Sequence, residues 1–402
     1  MKIPFLDLKQ VNVPYMDALK EAVSAVVESG WYIRGSYCDK FEKEFAAYCG
    51  FAHGVGVGNG LDALTLMLRA SIELGRLKPG DEILVPANTY IATVLAVNAA
   101  GLVPVLVEPD ENTFNIDPQR FADACTEKTR GILAVHLYGR LADMPAIWKF
   151  AHERGLLVFE DAAQSHGTSS SWTRSVRDPS GSAPCLIDGA KKSAAVAYSF
   201  YPTKNLGALG DAGMVVTDDA ELARVVRMLG NYGSEQKYVN RYRGVNSRLD
   251  EIQAAFLLAK LPHLDALNAR RREIAARYVN EVKNPLLRLP EIPADPKEHV
   301  WHVFTVRTPD RRVREALQKY LEARGIGTLI FYPIPPHNQE AYAFGLEKNG
   351  SINGAINVLL PVNPKFPVAE KMAETVLSIP VSQVLTDAEV AEIIGALNEF
   401  VC

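Results

Sequence analysis

The sequence predicts an α/β domain built on a largely parallel sheet, followed by a smaller α+β unit. Three observations carry that expectation. From about residue 50 onward, apolar runs of strand length alternate with segments of helical periodicity, the order that a parallel sheet with crossover helices requires. Each apolar run gives way to polar residues where its strand would end. The alternation then stops at one long helical pattern, beyond which the chain reads as a mixture of short strands and helices.

Taken in order, "GVGVGNG" is a short strand breaking into a glycine turn, and "LDALTLMLRASIELG" is a helix that ends at Gly75. "DEILVPANTY" is an apolar strand running into a polar loop. "LVPVLVEPD", "TRGILAVHLYG", "GLLVFEDAAQSHG" and "AVAYSFYPTKN" repeat the same pattern. Ligands of doubly wound sheets sit at the carboxyl ends of the strands, so these polar tips are where a site is expected. "SHGTSSSWTRSVRDPSGSAPCLIDGAKKSA" interrupts the rhythm and reads as a surface loop. "LDEIQAAFLLAKLPHLDALNARRREIAARYVNEV" is a long helical stretch with a break expected at Pro262. "HVWHVFTVRT", "VREALQKYLEARGIGTLI" and "DAEVAEIIGALNEF" supply the smaller unit, which divides the chain into residues 1–260 and 261–402.

With 48% hydrophobic and 22% charged residues, the chain has the balance of a soluble globular protein. A net charge of -4 gives no reason to expect a nucleic-acid partner. No apolar run reaches the roughly 20 residues of a membrane-spanning helix, and "MKIPFLDLKQ" lacks the features of a signal peptide. The five cysteines are scattered and never form a C-x-x-C pair, so neither a metal site nor a disulfide framework is expected, and a cytoplasmic setting fits.

Two strand ends carry the chemistry. "LLVFEDAAQSHG" ends in Glu160-Asp161 with Gln164 three residues on, and "SFYPTKNLGALGDAG" places Ser199 and Lys204 at the end of another strand. Lys204 stands apart from other charges, unlike a lysine on a solvated face. An acid and a lysine at neighbouring strand ends suit pyridoxal 5'-phosphate, whose aldehyde a lysine holds as a Schiff base while an acid keeps the pyridine nitrogen protonated. "GNGLDAL" sets a glycine turn directly before a helix, an arrangement that cradles phosphate. The same stretch fits the loose dinucleotide pattern G-x-G-x-x-G/A, but the acid that should end the next strand is replaced by "PANTY". Tyr90, in that stretch, is placed to stack on a flat ring. Lys237, Arg241, Arg243 and Arg248 cluster ahead of the long helix, either as a solvated basic face or as partners for a diphosphate.

Together "EDAAQSHG", "SFYPTKNLGALGDAGMVVTDD", "GNGLDAL", "TFNIDP", "VHLYG" and "GVNSRLDEIQAAFL" resemble the DegT/DnrJ/EryC1/StrS family of sugar aminotransferases, in order and over nearly the whole chain. "GNGLDAL" with "SFYPTKNLGALGDAG" looks most like the branch acting at C3 of dTDP-linked 3-keto-6-deoxyhexoses. The resemblance implies the aspartate-aminotransferase-like fold (fold type I), pyridoxal 5'-phosphate as cofactor, glutamate as amino donor, and a homodimer with shared active sites. By motif position it makes Lys204 the covalent anchor, Asp161 the partner of the pyridine nitrogen, and Gln164 a neighbour of the ring hydroxyl. Tyr90 matches the stacking aromatic. Gly60, Leu61 and Ser199 fall where the family binds phosphate, and Asn246 matches a phosphate ligand given by the other subunit. Tyr201 and Tyr332 lie where the sugar would bind. Phe331 stands where the family often has histidine, and His337 is the candidate to replace that contact. The other readings are a C4-specific enzyme of the same family and a non-catalytic regulator on the same fold. A dehydratase of the family lacks the lysine that this chain has.

Overall fold

A computed structural model describes residues 2–170, 193–343 and 365–402. Seven strands form one sheet: β1 (His53–Val57), β2 (Glu82–Pro86), β3 (Val103–Val107), β4 (Thr129–Val135), β5 (Leu157–Asp161), β6 (Ala195–Ser199) and β7 (Gly213–Thr217). Their order across the sheet is β1-β7-β6-β5-β4-β2-β3. Neighbours from β3 through to β6 run parallel, whereas β7 is antiparallel to both β6 and β1. The expected parallel sheet is therefore present with one reversed strand. Central strands are near-continuous apolar runs because both faces of the sheet are covered. All five residues of β7 are buried accordingly.

On one face the helices Gly60–Glu73, Ile91–Ala99 and Ala220–Leu229 bury Leu66, Met67, Val94, Val97 and Val226 against the sheet. On the other, Phe41 and Phe45 of the helix Ser36–Cys49 pack with Phe200, Met214 and Leu257. Pro262 does interrupt the long helical stretch. The helix Glu251–Lys260 gives way to a 3-10 turn, Leu261–His263, before the helix Leu264–Glu281 resumes, as expected of a residue with no N–H to donate.

Ahead of these helices in the chain lies a small exposed hairpin, β8 (Ser234–Gln236) and β9 (Val239–Asn240). The C-terminal part holds a separate apolar core around the antiparallel pair β10 (Phe304–Arg307) and β11 (Val376–Ile379), covered by Tyr278, Leu317, Leu321, Val390 and Ile393. Ile3 from the start of the chain is fully buried in this core, and its backbone bridges to Ile326. Most of the predicted surface loop, residues 171–192, lies outside the described residues. Among those described, no helix is long and apolar enough to cross a membrane.

Candidate active site

β5 and β6 are adjacent and parallel, so their carboxyl ends bring Asp161 and Ser199 to the same edge of the sheet. Gly60 opens the helix Gly60–Glu73, whose N-cap Asn59 accepts from the Asp62 N–H at 2.9 Å. The N–H groups of Gly60 and Leu61 precede the first helical hydrogen bonds and have no protein partner among the described residues. They meet the end of β6 closely. A Cβ on Gly60 would lie 2.5 Å from the Ser199 Cβ, and one on Gly213 would overlap the Asn59 carbonyl oxygen. Glycine at both positions lets the helix N-terminus approach the strand end and leaves two donors, the helix dipole and the Ser199 hydroxyl facing one place. Ser199 Oγ itself accepts from the Tyr201 N–H at 3.3 Å.

Asp161 is 7% exposed. Its Oδ2 accepts from Thr93 Oγ1 at 2.8 Å and its Oδ1 from the Ala163 N–H at 3.1 Å. Burial raises its carboxyl above the ordinary range, while Thr93, Ala163 and the charges of Lys204 and His136 pull it back. A buried carboxylate held by a neutral hydroxyl and one N–H lacks a charged hydrogen-bond donor. A protonated pyridine nitrogen would supply it.

Lys204 follows β6 in a tight loop, its N–H donating to the Tyr201 carbonyl at 2.8 Å. Burial lowers its amine to about 8, against an opposing pull from Asp161. This is the state a nucleophilic lysine needs, since the neutral amine attacks a carbonyl.

Gln164 is buried and oriented at both ends. Its Oε1 accepts from the Tyr138 N–H at 2.6 Å and its Nε2 donates to the Tyr332 hydroxyl at 3.0 Å. The Tyr332 ring lies 5.1 Å from that of Tyr90, which is 53% exposed. The Tyr138 hydroxyl donates to the Phe331 carbonyl. Tyr201 is half-exposed beside the lysine loop. Asp161, Gln164, Lys204, Tyr90 and Tyr332 are thus drawn together by strands and loops from distant parts of the chain.

Two predicted residues lie apart from this group. Asn246 is exposed, and its backbone bridges to Asn231. The next residue, Ser247, accepts from the Gly58 N–H at 2.9 Å and donates to Asp62 at 2.6 Å. His337 is buried, with Nε2 3.2 Å from Glu370 Oε1 and its ring 4.8 Å from that of Phe366. The basic cluster is on and after the β8–β9 hairpin, with Arg248 bonded to Asn231 at 2.9 Å.

Sequence reasoning missed Thr93, although it is the last residue of "PANTYIAT". It turns inward one helical turn after Tyr90. It also missed His136, whose Nδ1 accepts from the Ala142 N–H at 3.1 Å, which leaves Nε2–H to donate to Glu160 at 2.7 Å. His166, fully buried, is held near 3 by burial and by the charge of Lys204, and so stays neutral beside it.

The glycine cradle, the buried Asp161 and the lowered amine of Lys204 fit pyridoxal phosphate at its three anchor points. The match with known proteins agrees. Residues 16–398 match the model of the DegT/DnrJ/EryC1/StrS aminotransferase family. The dTDP-3-amino-3,6-dideoxy-alpha-D-galactopyranose transaminase of Aneurinibacillus thermoaerophilus is 47% identical over 400 residues, 99% of each chain. The X-ray structure of DesV from S. venezuelae superposes with a TM-score of 0.85 at 44% identity, over 100% of this chain and 99% of that one. NtdA from Bacillus subtilis, solved with bound cofactor PMP, gives a TM-score of 0.82 at 30% identity, over 98% and 84%. With a motif-bearing lysine, a family match over almost its full length and the aspartate-aminotransferase-like fold, the chain belongs to the DegT/DnrJ/EryC1/StrS aminotransferase family and uses pyridoxal phosphate.

Proposed function

We propose that this enzyme transfers an amino group from L-glutamate to C3 of a dTDP-linked 3-keto-6-deoxyhexose, a step of deoxyaminosugar biosynthesis. The observation that carries the reading is the lowered amine of Lys204 beside buried Asp161, in a chain 47% identical to a transaminase named for a dTDP-3-amino sugar.

Pyridoxal phosphate, when bound, supplies an aldehyde for covalent attachment and a ring that withdraws electrons from the reacting carbon. The protein's part is division of labour among its side chains. Gly60 and Leu61 N–H groups and Ser199 bind the phosphate. Asp161, oriented by Thr93 and Ala163, holds a proton on the ring nitrogen. Tyr90 covers one ring face, and Gln164, fixed by Tyr138 and Tyr332, meets the ring hydroxyl. Lys204 Nζ would hold the cofactor, and its free amine would hold or move the proton at the reacting carbon. In the second half of the cycle the same groups act in reverse order on the ketosugar. Tyr201 and Tyr332 line its approach. His337 is left out of this substrate reading because its Nε2 is spent on Glu370.

A homodimer completes the site in this reading. Trp31, Tyr32, Ile33 and Val27 form exposed apolar surface, and exposed Asn246 is free to reach a neighbouring subunit's phosphate, with the cations of the hairpin offered to the diphosphate. The enzyme acts in the cytoplasm, where nucleotide sugars are made.

The test is direct. The purified protein should be yellow, borohydride should fix the cofactor to it, and Lys204→Ala should lose both properties. Incubation with glutamate and a panel of dTDP-3- and dTDP-4-ketosugars should give amino sugar from the 3-keto compounds. Product from the 4-keto sugars alone would move the assignment to C4, and a colourless, cofactor-free protein would favour a regulator.

A further inference from the structure

Next to the lysine loop lies a cavity of about 450 Å³, to whose wall the functional reading above assigns only Tyr201. It is lined by apolar residues, among them Phe5, Val303 and Leu329, and by Arg271, Thr203 and Ser382. Arg271 comes from the helix Leu264–Glu281 and is 4% exposed. Its hydrogen bonds among the described residues all leave from Nη1, to the carbonyls of Trp301 at 3.1 Å, His302 at 3.4 Å and Val381 at 3.5 Å. Nε and Nη2 have no protein partner there, and no carboxylate offsets the charge. Burial alone pulls the guanidinium down to about 10. A buried arginine without a counter-ion is costly unless an anion arrives to meet it.

The cavity adjoins the loop that carries the reacting lysine. Tyr201 and Thr203, both on its wall, precede Lys204 in the chain, Thr203 immediately. His302, also on the wall, donates from Nδ1 to Asn205 Oδ1 at 3.1 Å, next to the lysine. His302 feels the charges of both Lys204 and Arg271. The lining calls for a short amphiphilic anion, with an apolar body for Phe5 and Leu329 and an anionic end for Arg271, beside the lysine loop at Thr203.

We propose that Arg271 binds a carboxylate of the amino-acid donor in this cavity, which rests on the transaminase reading above. The planar guanidinium offers Nε and Nη2 as a pair of parallel donors, the geometry a carboxylate accepts. Ser382 and Thr203 stand on the same wall for the second oxygen or for solvent. The ketosugar carries no carboxylate, so the residue separates the two substrates of one site: it discriminates donor from acceptor.

The experiment measures binding of glutarate, which has the donor's carbon skeleton but no amine to react. Calorimetric titration of the cofactor-loaded protein should give a measurable Kd that Arg271→Gln weakens about 30-fold or more, as expected for removing one partner of a buried charge pair. Binding of dTDP should be unchanged in the variant. Leu329→Trp, which fills the cavity from its rim with Arg271 intact, should also abolish glutarate binding, so the proposal does not depend on one variant folding. Equal glutarate binding in wild type and Arg271→Gln would overturn the proposal, as would parallel loss of glutarate and dTDP binding, which marks a purely structural clamp. Release of 2-oxoglutarate from glutamate by the wild type tests the transaminase reading separately. That release with unaltered Arg271→Gln kinetics would sink this inference and leave the other standing.

Discussion

The balance between burial and Asp161 at Lys204 predicts how Asp161→Asn changes the protein's capture of its cofactor. In the wild type the amine sits at about 8 instead of 10.5, because desolvation outweighs the attraction of Asp161. At pH 7 an amine of pKa about 8 is neutral in about one molecule in 11, against about one in 3,000 at the ordinary value, so the fold raises the reactive fraction about 300-fold. Removing the carboxylate charge leaves desolvation unopposed, and the amine should fall below 8. The assay is the rate at which cofactor-free protein, given pyridoxal phosphate, becomes borohydride-fixable, measured from pH 6 to 10. Wild type should show a rising profile with its midpoint near 8, and Asp161→Asn a midpoint at lower pH. The same variant should transaminate orders of magnitude more slowly, since nothing holds the proton on the ring nitrogen. A midpoint near 10 in the wild type, or one unmoved by Asp161→Asn, would refute the account of a dry lysine balanced by one buried acid.

Three further changes read other parts of the site. Thr93→Val keeps shape but removes the hydroxyl on Asp161 Oδ2. It should cost about 1–3 kcal/mol in denaturant unfolding of the cofactor-free protein and weaken cofactor affinity by titration. Gly60→Ala puts a methyl 2.5 Å from the Ser199 Cβ, so calorimetric unfolding should show a loss of about 1–3 kcal/mol, and cofactor retention on dialysis should fall more than in Thr93→Val. Lys260, whose Nζ donates to the Gly207 carbonyl at 2.7 Å, is lowered by burial to about 8. The unfolded chain therefore binds more protons above pH 8, wild-type stability should rise from about pH 8 toward 10, and Lys260→Met should flatten that rise in urea melts.

The strand-and-helix alternation was legible because the central strands are apolar on both faces and their ends are polar. Asp161 and Ser199 stand at strand ends both in the sequence and in the sheet. The break at Pro262 was legible for a local reason too. What escaped was whatever depends on contacts between remote segments. Nothing near "YIAT" says that Thr93 reaches across 68 positions to Asp161, and a histidine in "AVHLYG" gives no sign that it will bond Glu160 on the next strand. The reversal of β7 is likewise a pairing property, not a property of "GMVVT" itself. His337 illustrates the opposite error: its nearness to Phe331 in the chain suggested a sugar contact, whereas Glu370 and Phe366, contributed by the chain beyond residue 364, bury it.

The same dependence on distance explains how a reactive lysine is kept in one place. The loop that bears it is short and glycine-rich, a poor choice for rigidity taken alone. Its rigidity is imported. Asn205 donates to Asn268 at 2.8 Å and to the Val300 carbonyl at 3.1 Å, and accepts from His302. Asn268 in turn donates to the His166 carbonyl at 2.8 Å. Lys260 grips Gly207 from the other side. Asn205, Asn268 and Lys260 are buried and polar, so breaking any of their bonds leaves an unpaired group where water does not reach. The network draws on the strand end after β5, the helix Leu264–Glu281 and the segment leading into β10. The residue beside the lysine is therefore set by both apolar cores of the protein at once, and a shift of the C-terminal core against the sheet must be felt at the amine.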